Sequence, residues 1–130
     1  MARPYIARLA TADRNGHPHV VPVWFGWDGE SIWISSFAIT RKVNELMQNP
    51  WVSIAVDVGH ETGQTRAVIL EGRAVLVSEP RELVRQQSTW IYTRYLGEAG
   101  VLEKEPQSWI ADPENLLIKL TPERAFAWSY

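Results

Sequence analysis

Arg41 and Lys42 stand side by side in the first turn of a segment with helical apolar spacing, directly after Thr40 and a few residues after Ser35-Ser36. A helix N-terminus carries about half a positive charge, and a cation placed there is disfavoured by roughly 0.3–1 kcal/mol. Two neighbouring cations at that end oppose the helix unless they bend to solvent, pair with Glu45, or hold an anion between them. With an anion the pattern becomes productive. Free backbone N–H groups, the hydroxyls of Ser35, Ser36 and Thr40, and the Arg41 and Lys42 side chains would converge on one phosphate. The upstream run Val21-Pro22-Val23-Trp24 offers something different. It is apolar, and Pro22 removes a ladder donor, so main-chain groups there lie open to a planar ligand. A phosphate grip beside a flat apolar wall describes a site for a flavin-like molecule.

Other combinations carry less. His17-x-His19 puts two imidazoles on one strand face without a third ligand, and His60-Glu61 lacks the second histidine of a zinc-protease helix, so no metal site is expected. Gly59-x-x-x-Gly63 lacks the Lys-Ser/Thr ending of a P-loop, and no serine-hydrolase elbow is present. Glu103 and Glu105 read as solvated charge, and Arg81 with Arg85 as a surface stripe. No side chain stands out as a proton donor, so no catalytic residue is assigned.

The elements that position these groups follow from the periodicities. Residues 6–11 form a strand, Asn15-Gly16 a hairpin turn, and 19–27 a second strand, with Asp28-Gly29 turning into a third over 31–36. Val43, Leu46 and Met47 lie at i, i+3, i+4 on one face of a short helix capped by Thr40 and ended by Asn49-Pro50. Residues 51–58 alternate as a fourth strand, and 66–77 form a fifth with a bend at Glu71-Gly72. Ser78 begins a longer helix to about Leu96, burying Leu83, Val84, Trp90, Ile91 and Tyr95. Residues 97–107 read as an acidic loop, and 116–120 and 125–128 as two further strands around Thr121-Pro122. The expectation is a mainly β chain with two helices (α+β), antiparallel, closed into a small barrel over one domain, 1–130.

Composition narrows the function classes. The 130 residues are 45% hydrophobic and 22% charged with a net charge of -2, which argues against a dedicated nucleic-acid binder. No apolar run is long enough to cross a bilayer and no signal-like segment opens the chain, so a cytoplasmic protein without membrane contact is expected. Zero cysteines exclude disulfides, thiolate metal sites and a cysteine nucleophile. Seven tryptophans exceed what one small core covers, which predicts a homodimer; core and interface packing on one side, and a pocket for a flat ring on the other, are both open to these indoles on composition.

The spaced series Gly16-x-Pro18-His19-Val20-Val21-Pro22-Val23-Trp24, Asp28-Gly29, Ser36-x-x-x-Thr40-Arg41-Lys42-Val43, Asn49-Pro50-x-Val52-Ser53 and Leu70-Glu71-Gly72-Arg73-Ala74 resembles the pyridoxamine 5'-phosphate oxidase-related split β-barrel proteins. The resemblance spans roughly residues 6–77. It implies a dimeric split barrel with two cofactor sites at the dimer interface, taking FMN or the deazaflavin F420. It also implies that Thr40, Arg41, Lys42 and Ser36 hold the cofactor phosphate while Val21 to Trp24 lie along the ring. Two departures stand out. The Gln and Arg that precede Glu-Gly in the vitamin-processing oxidases correspond to Ala67 and Ile69, and their C-terminal Trp and Arg signature is not recognisable near Trp128. The expected activity is therefore an oxidoreductase acting on a small molecule other than pyridoxine phosphate, with FMN preferred and F420 as the alternative. A non-catalytic split barrel that stores or senses a flavin or haem is the competing expectation.

Overall fold

The computed structural model describes residues 4–58 and 66–129. Among the described residues, eight strands form one curled antiparallel sheet, with three helices packed against it. β1 (Ala7–Ala12) and β2 (Pro18–Val23) make the first hairpin, turning through Gly16 at φ 81° as Asn-Gly predicts. β3 (Gly26–Trp27) and β4 (Ile32–Phe37) follow, then α1 (Arg41–Gln48), β5 (Trp51–Val58) and β6 (Arg66–Val77). α2 (Arg81–Gly100), α3 (Lys104–Ala111), β7 (Asn115–Leu120) and β8 (Arg124–Ser129) complete the chain.

The strand order is β2-β1-β5-β6-β7-β4-β3, with β8 also on β6. β6 is the hinge of this path. Its first half pairs with β5 and β8, and from Ala74 onward it pairs with β7. The change of partners comes just after Glu71-Gly72, where the bend was expected. At Gly72 an added Cβ would lie 3.0 Å from Leu120 Cδ1 and 3.2 Å from the Glu123 nitrogen, so a side chain there would press on the β7–β8 turn and its neighbours would have to give way. The split-barrel architecture predicted from the sequence is the one found.

β4 separates two apolar layers. Ile32 and Ile34 turn into the barrel with Leu9, Phe25, Ile54, Ile118 and Leu120, while Trp33 faces α2 with Val84, Ile91 and Leu117. Cover on both faces explains why Ile32-Trp33-Ile34 is an unbroken apolar run rather than a strict alternation. The Trp33 indole donates to Asp28 Oδ2 at 2.8 Å. Burial raises the pKa of that carboxyl, but the bonds from Trp33, Ser31 and Glu30 outweigh it and hold it below its usual value.

Three expectations need correction. The described residues form three helices rather than two: residues 97–107, read as a loop, complete α2 and begin α3, with Gly97 at φ 80° kinking α2 near its end. The Lys104–Ala111 segment buries only Pro106 and Ile110, too sparse an apolar pattern to announce a helix against its charge. α2 starts at Arg81 after Pro80, not at Ser78. In α1 the buried positions are Val43, Glu45 and Leu46, whereas Met47 is 72% exposed.

Gly26 provides a test of how α2 docks. A Cβ there would come within 2.5 Å of the Trp90 ring, so the indole rests directly on the backbone of β3. Gly26→Ala is expected to destabilise the protein by about 1–3 kcal/mol in urea unfolding, the range for overpacking, because the rigid ring and its helix must retreat.

Candidate functional site

A cavity of about 480 Å³ opens where the end of β2 meets β4, α1 and α2, lined by Ile6, Pro22, Val23, Trp24, Ser35, Lys42 and Tyr92. One wall is aromatic. Trp24 stacks on Tyr95 with centroids 4.7 Å apart and planes 4° off parallel, and Tyr92 meets it edge-on at 5.9 Å. Tyr95 is pinned in turn: its hydroxyl accepts from the Phe25 N–H at 3.1 Å and donates to the Tyr5 carbonyl at 2.7 Å. The Arg94 guanidinium also binds the Phe25 carbonyl. The Trp24 wall is thus held by two residues of α2, Tyr95 anchored to Phe25 and Tyr5, and Tyr92 bonded to Ser35 of β4.

A closed ring of hydrogen bonds forms the polar end. Ser35 Oγ donates to Asn115 Oδ1 at 2.8 Å, and Asn115 Nδ2 donates to Ser88 Oγ at 3.0 Å. With those protons placed, the Ser88 hydroxyl donates to Ser35 Oγ at 3.1 Å. The Tyr92 hydroxyl donates to the same Ser35 oxygen at 3.2 Å. Burial pushes the Tyr92 phenol above its usual pKa, which keeps it protonated at neutral pH.

The two cations of the helix start part company. Lys42 enters the cavity half-buried and has no hydrogen-bond or ion-pair partner among the described residues. Burial lowers its pKa, as expected for an ammonium without a counter-charge. Arg41 instead turns outward, 63% exposed, with Nε 3.2 Å from Oε1 of the buried Glu45. Glu45 also lies 3.4 Å from Thr11 Oγ1 and 2.9 Å from His19 Nδ1, although the imidazole is out of line for a hydrogen bond. Thr40 Oγ1 donates to the Phe37 carbonyl at 2.9 Å and lies 3.2 Å from Ser36 Oγ. It makes no side-chain cap on α1, so the first-turn N–H groups carry none.

Of the residues singled out by sequence, Pro22, Val23, Trp24, Ser35 and Lys42 line one cavity. Val21 packs against the barrel core, and Ser36, Thr40 and Arg41 lie outside the cavity lining. Tyr92, Ser88 and Asn115 were missed. The helical stripe Val84, Ser88, Ile91, Tyr92 and Tyr95 would have exposed the first two, since Ser88 and Tyr92 lie at i, i+4 on the face that carries the apolar positions.

The model of the pyridoxamine 5'-phosphate oxidase family matches residues 1–129. The chain belongs to that family. Among solved structures, the conserved hypothetical protein Rv2991 of Mycobacterium tuberculosis superposes with a TM-score of 0.79 at 25% identity, over 98% of this chain and 78% of that one. An F420 reductase superposes with a TM-score of 0.74 at 25% identity, over 96% and 91%. The haem storage protein HutZ of Vibrio cholerae shares the fold at 23% identity, with a TM-score of 0.73 over 95% and 85%. No curated protein matches the chain.

Within this family frame the remaining motifs take structural places. Arg85 pairs with Glu82, and Arg81 donates to the carbonyls of Ser78, Asp112 and Asn115, so it ties α2 to the start of β7 instead of standing as a free surface charge. His17 meets Asp13 at 3.1 Å, and no group of three or more candidate metal ligands occurs among the described residues. Residues 59–65, with His60-Glu61 and Gly59-x-x-x-Gly63, lie outside the described residues, as does the Trp128 side chain. No helix among the described residues is long and apolar enough to cross a membrane.

Proposed function

We propose that this protein is an FMN-dependent oxidoreductase of small molecules, with F420 as the alternative cofactor. One observation carries the reading: Lys42 brings an unpartnered, half-buried ammonium into a cavity walled by Trp24 and Pro22. A desolvated cation without a counter-charge is costly unless a ligand provides one. The cavity volume of about 480 Å³ lies within the range of small-molecule and cofactor sites. Lys42 would hold the anionic tail, helped by the uncapped first-turn N–H groups of α1. Pro22, Val23 and Trp24 would lie along the ring. A bound flavin or deazaflavin supplies hydride chemistry; the chain supplies grip, orientation and a wall that excludes water. Arg41, tied to Glu45, is a secondary anchor that must leave its carboxylate to take part.

A homodimer is part of the reading. The outer face of β1, β5, β6 and β8 is uncovered, with Trp51 54% and Phe126 48% exposed. In register, Trp51 faces Arg73, and Ile69 faces Phe126. Pro22 pairs with Arg8 of β1, so a second copy on this face would border the cavity.

The test is anaerobic. Reduced FMN and reduced F420 are each mixed with the protein and a panel of small electron acceptors, and reoxidation is followed by absorbance. Repeated turnover supports an oxidoreductase, whereas tight binding with no catalysed reoxidation would leave a store or sensor. Light scattering of the same sample reads the mass, with twice that of one chain expected.

A further inference from the structure

We propose that the Tyr92 hydroxyl orients the ligand of this cavity by donating a hydrogen bond to a neutral, carbonyl-type oxygen on the edge of the bound ring. The inference rests on the reading of the cavity as a flat-ring site and adds a requirement on the ligand: an acceptor oxygen as well as an anionic tail.

The hydrogen-bond ring behind Tyr92 makes this inexpensive. Ser35, Asn115 and Ser88 satisfy one another in a closed cycle. Tyr92 adds a second proton to a Ser35 oxygen that already accepts one from Ser88. When the phenol O–H swings about its C–O bond toward a ligand, every member of the cycle keeps its partner. Withdrawing any other member would strand a buried polar atom. Tyr92 is therefore the one member free to serve a ligand, and it lines the cavity.

The chemistry of the donor selects the acceptor. The aromatic ring is fixed by Trp24 at 5.9 Å on one side and Trp109 at 5.6 Å on the other, so the hydroxyl position is set in advance. Burial keeps the phenol protonated, so it offers a proton and no charge. A ring carbonyl fits such a donor. An anionic group is better served by Lys42 on the same cavity.

The experiment compares wild type, Tyr92→Phe and Lys42→Met, titrated with FMN and with F420 by fluorescence. The carbonyl stretch of the bound probe is read by difference infrared spectroscopy, and thermal melting verifies the fold. Tyr92→Phe is expected to weaken binding about three- to tenfold, the range of one neutral hydrogen bond. It is also expected to raise a carbonyl frequency of the bound probe. Unchanged affinity and frequency in Tyr92→Phe, with Lys42→Met still impaired, overturn the Tyr92 assignment and leave the site reading intact. If Lys42→Met also binds as wild type does, or wild type binds neither probe, the site reading falls and the Tyr92 assignment falls with it.

Discussion

Lys42→Met is expected to weaken FMN or F420 binding roughly 10- to 150-fold, the equivalent of about 1.5–3 kcal/mol for one charged hydrogen bond. The same substitution should leave the melting temperature of the ligand-free protein equal to or above that of wild type. Both effects share a cause. The ammonium is half-buried without a partner, so the empty site bears its desolvation cost and only an anionic ligand offsets it. Arg41→Ala makes the contrast. Because Arg41 is spent on Glu45, its loss should reduce affinity severalfold less, and it exposes the buried Glu45 carboxylate to an unfavourable environment. Titration calorimetry and melting of the two variants together check the assignment; equal losses of affinity would return Arg41 to the primary anchor.

The pH dependence follows from the same depressed pKa. Below it Lys42 is charged and grips the anion; as pH rises through it the grip is lost, earlier than for a solvent-exposed lysine. The stability of the empty protein moves the other way. Between the folded and unfolded pKa values the unfolded chain binds more protons at this residue, so its contribution to stability rises with pH in that window. Burial displaces the Tyr92 phenol in the opposite direction, upward, which favours its protonated, donating form.

Much of this was legible before any coordinates. Tight turns at Asn15-Gly16 and Asp28-Gly29 fix their neighbours locally, but the run 19–27, expected as one strand, breaks after Val23: β2 pairs with β1, whereas Gly26–Trp27 pairs with β4. The partner switch in β6 announced itself through Gly72, where a Cβ would crowd Leu120 and the Glu123 backbone. Lys42 and Trp24, singled out from the sequence, line the same cavity. The fates of Arg41 and Met47 were not legible. α1 buries Glu45 against Thr11 and His19 from other strands, a tertiary pairing that overrides the apolar face and draws Arg41 away. Ser88 lies 53 positions and Asn115 80 positions after Ser35, and a buried polar cycle built from β4, α2 and β7 leaves no periodic trace in any one of them.

That polar cycle carries the largest expected stability effect. Asn115→Leu is expected to cost about 2–4 kcal/mol in urea unfolding, since the side chain is buried and both ends of its amide are used. Leucine fills a similar volume, so the loss comes from chemistry rather than from a cavity. Without Asn115 Oδ1 the Ser35 and Ser88 hydroxyls have two protons and too few acceptors between them, and one is stranded in the interface between β4 and α2. The cost should therefore shrink when the stranded groups are removed too. Asn115→Leu combined with Ser35→Ala and Ser88→Ala is expected to be more stable than Asn115→Leu alone, as replacing all partners by apolar groups is close to neutral. Tyr92 then loses its Ser35 acceptor, but its place on the cavity gives its proton another outlet. If the triple variant is instead less stable than the single one, the three residues contribute as independent packing groups and not as a hydrogen-bonded cycle.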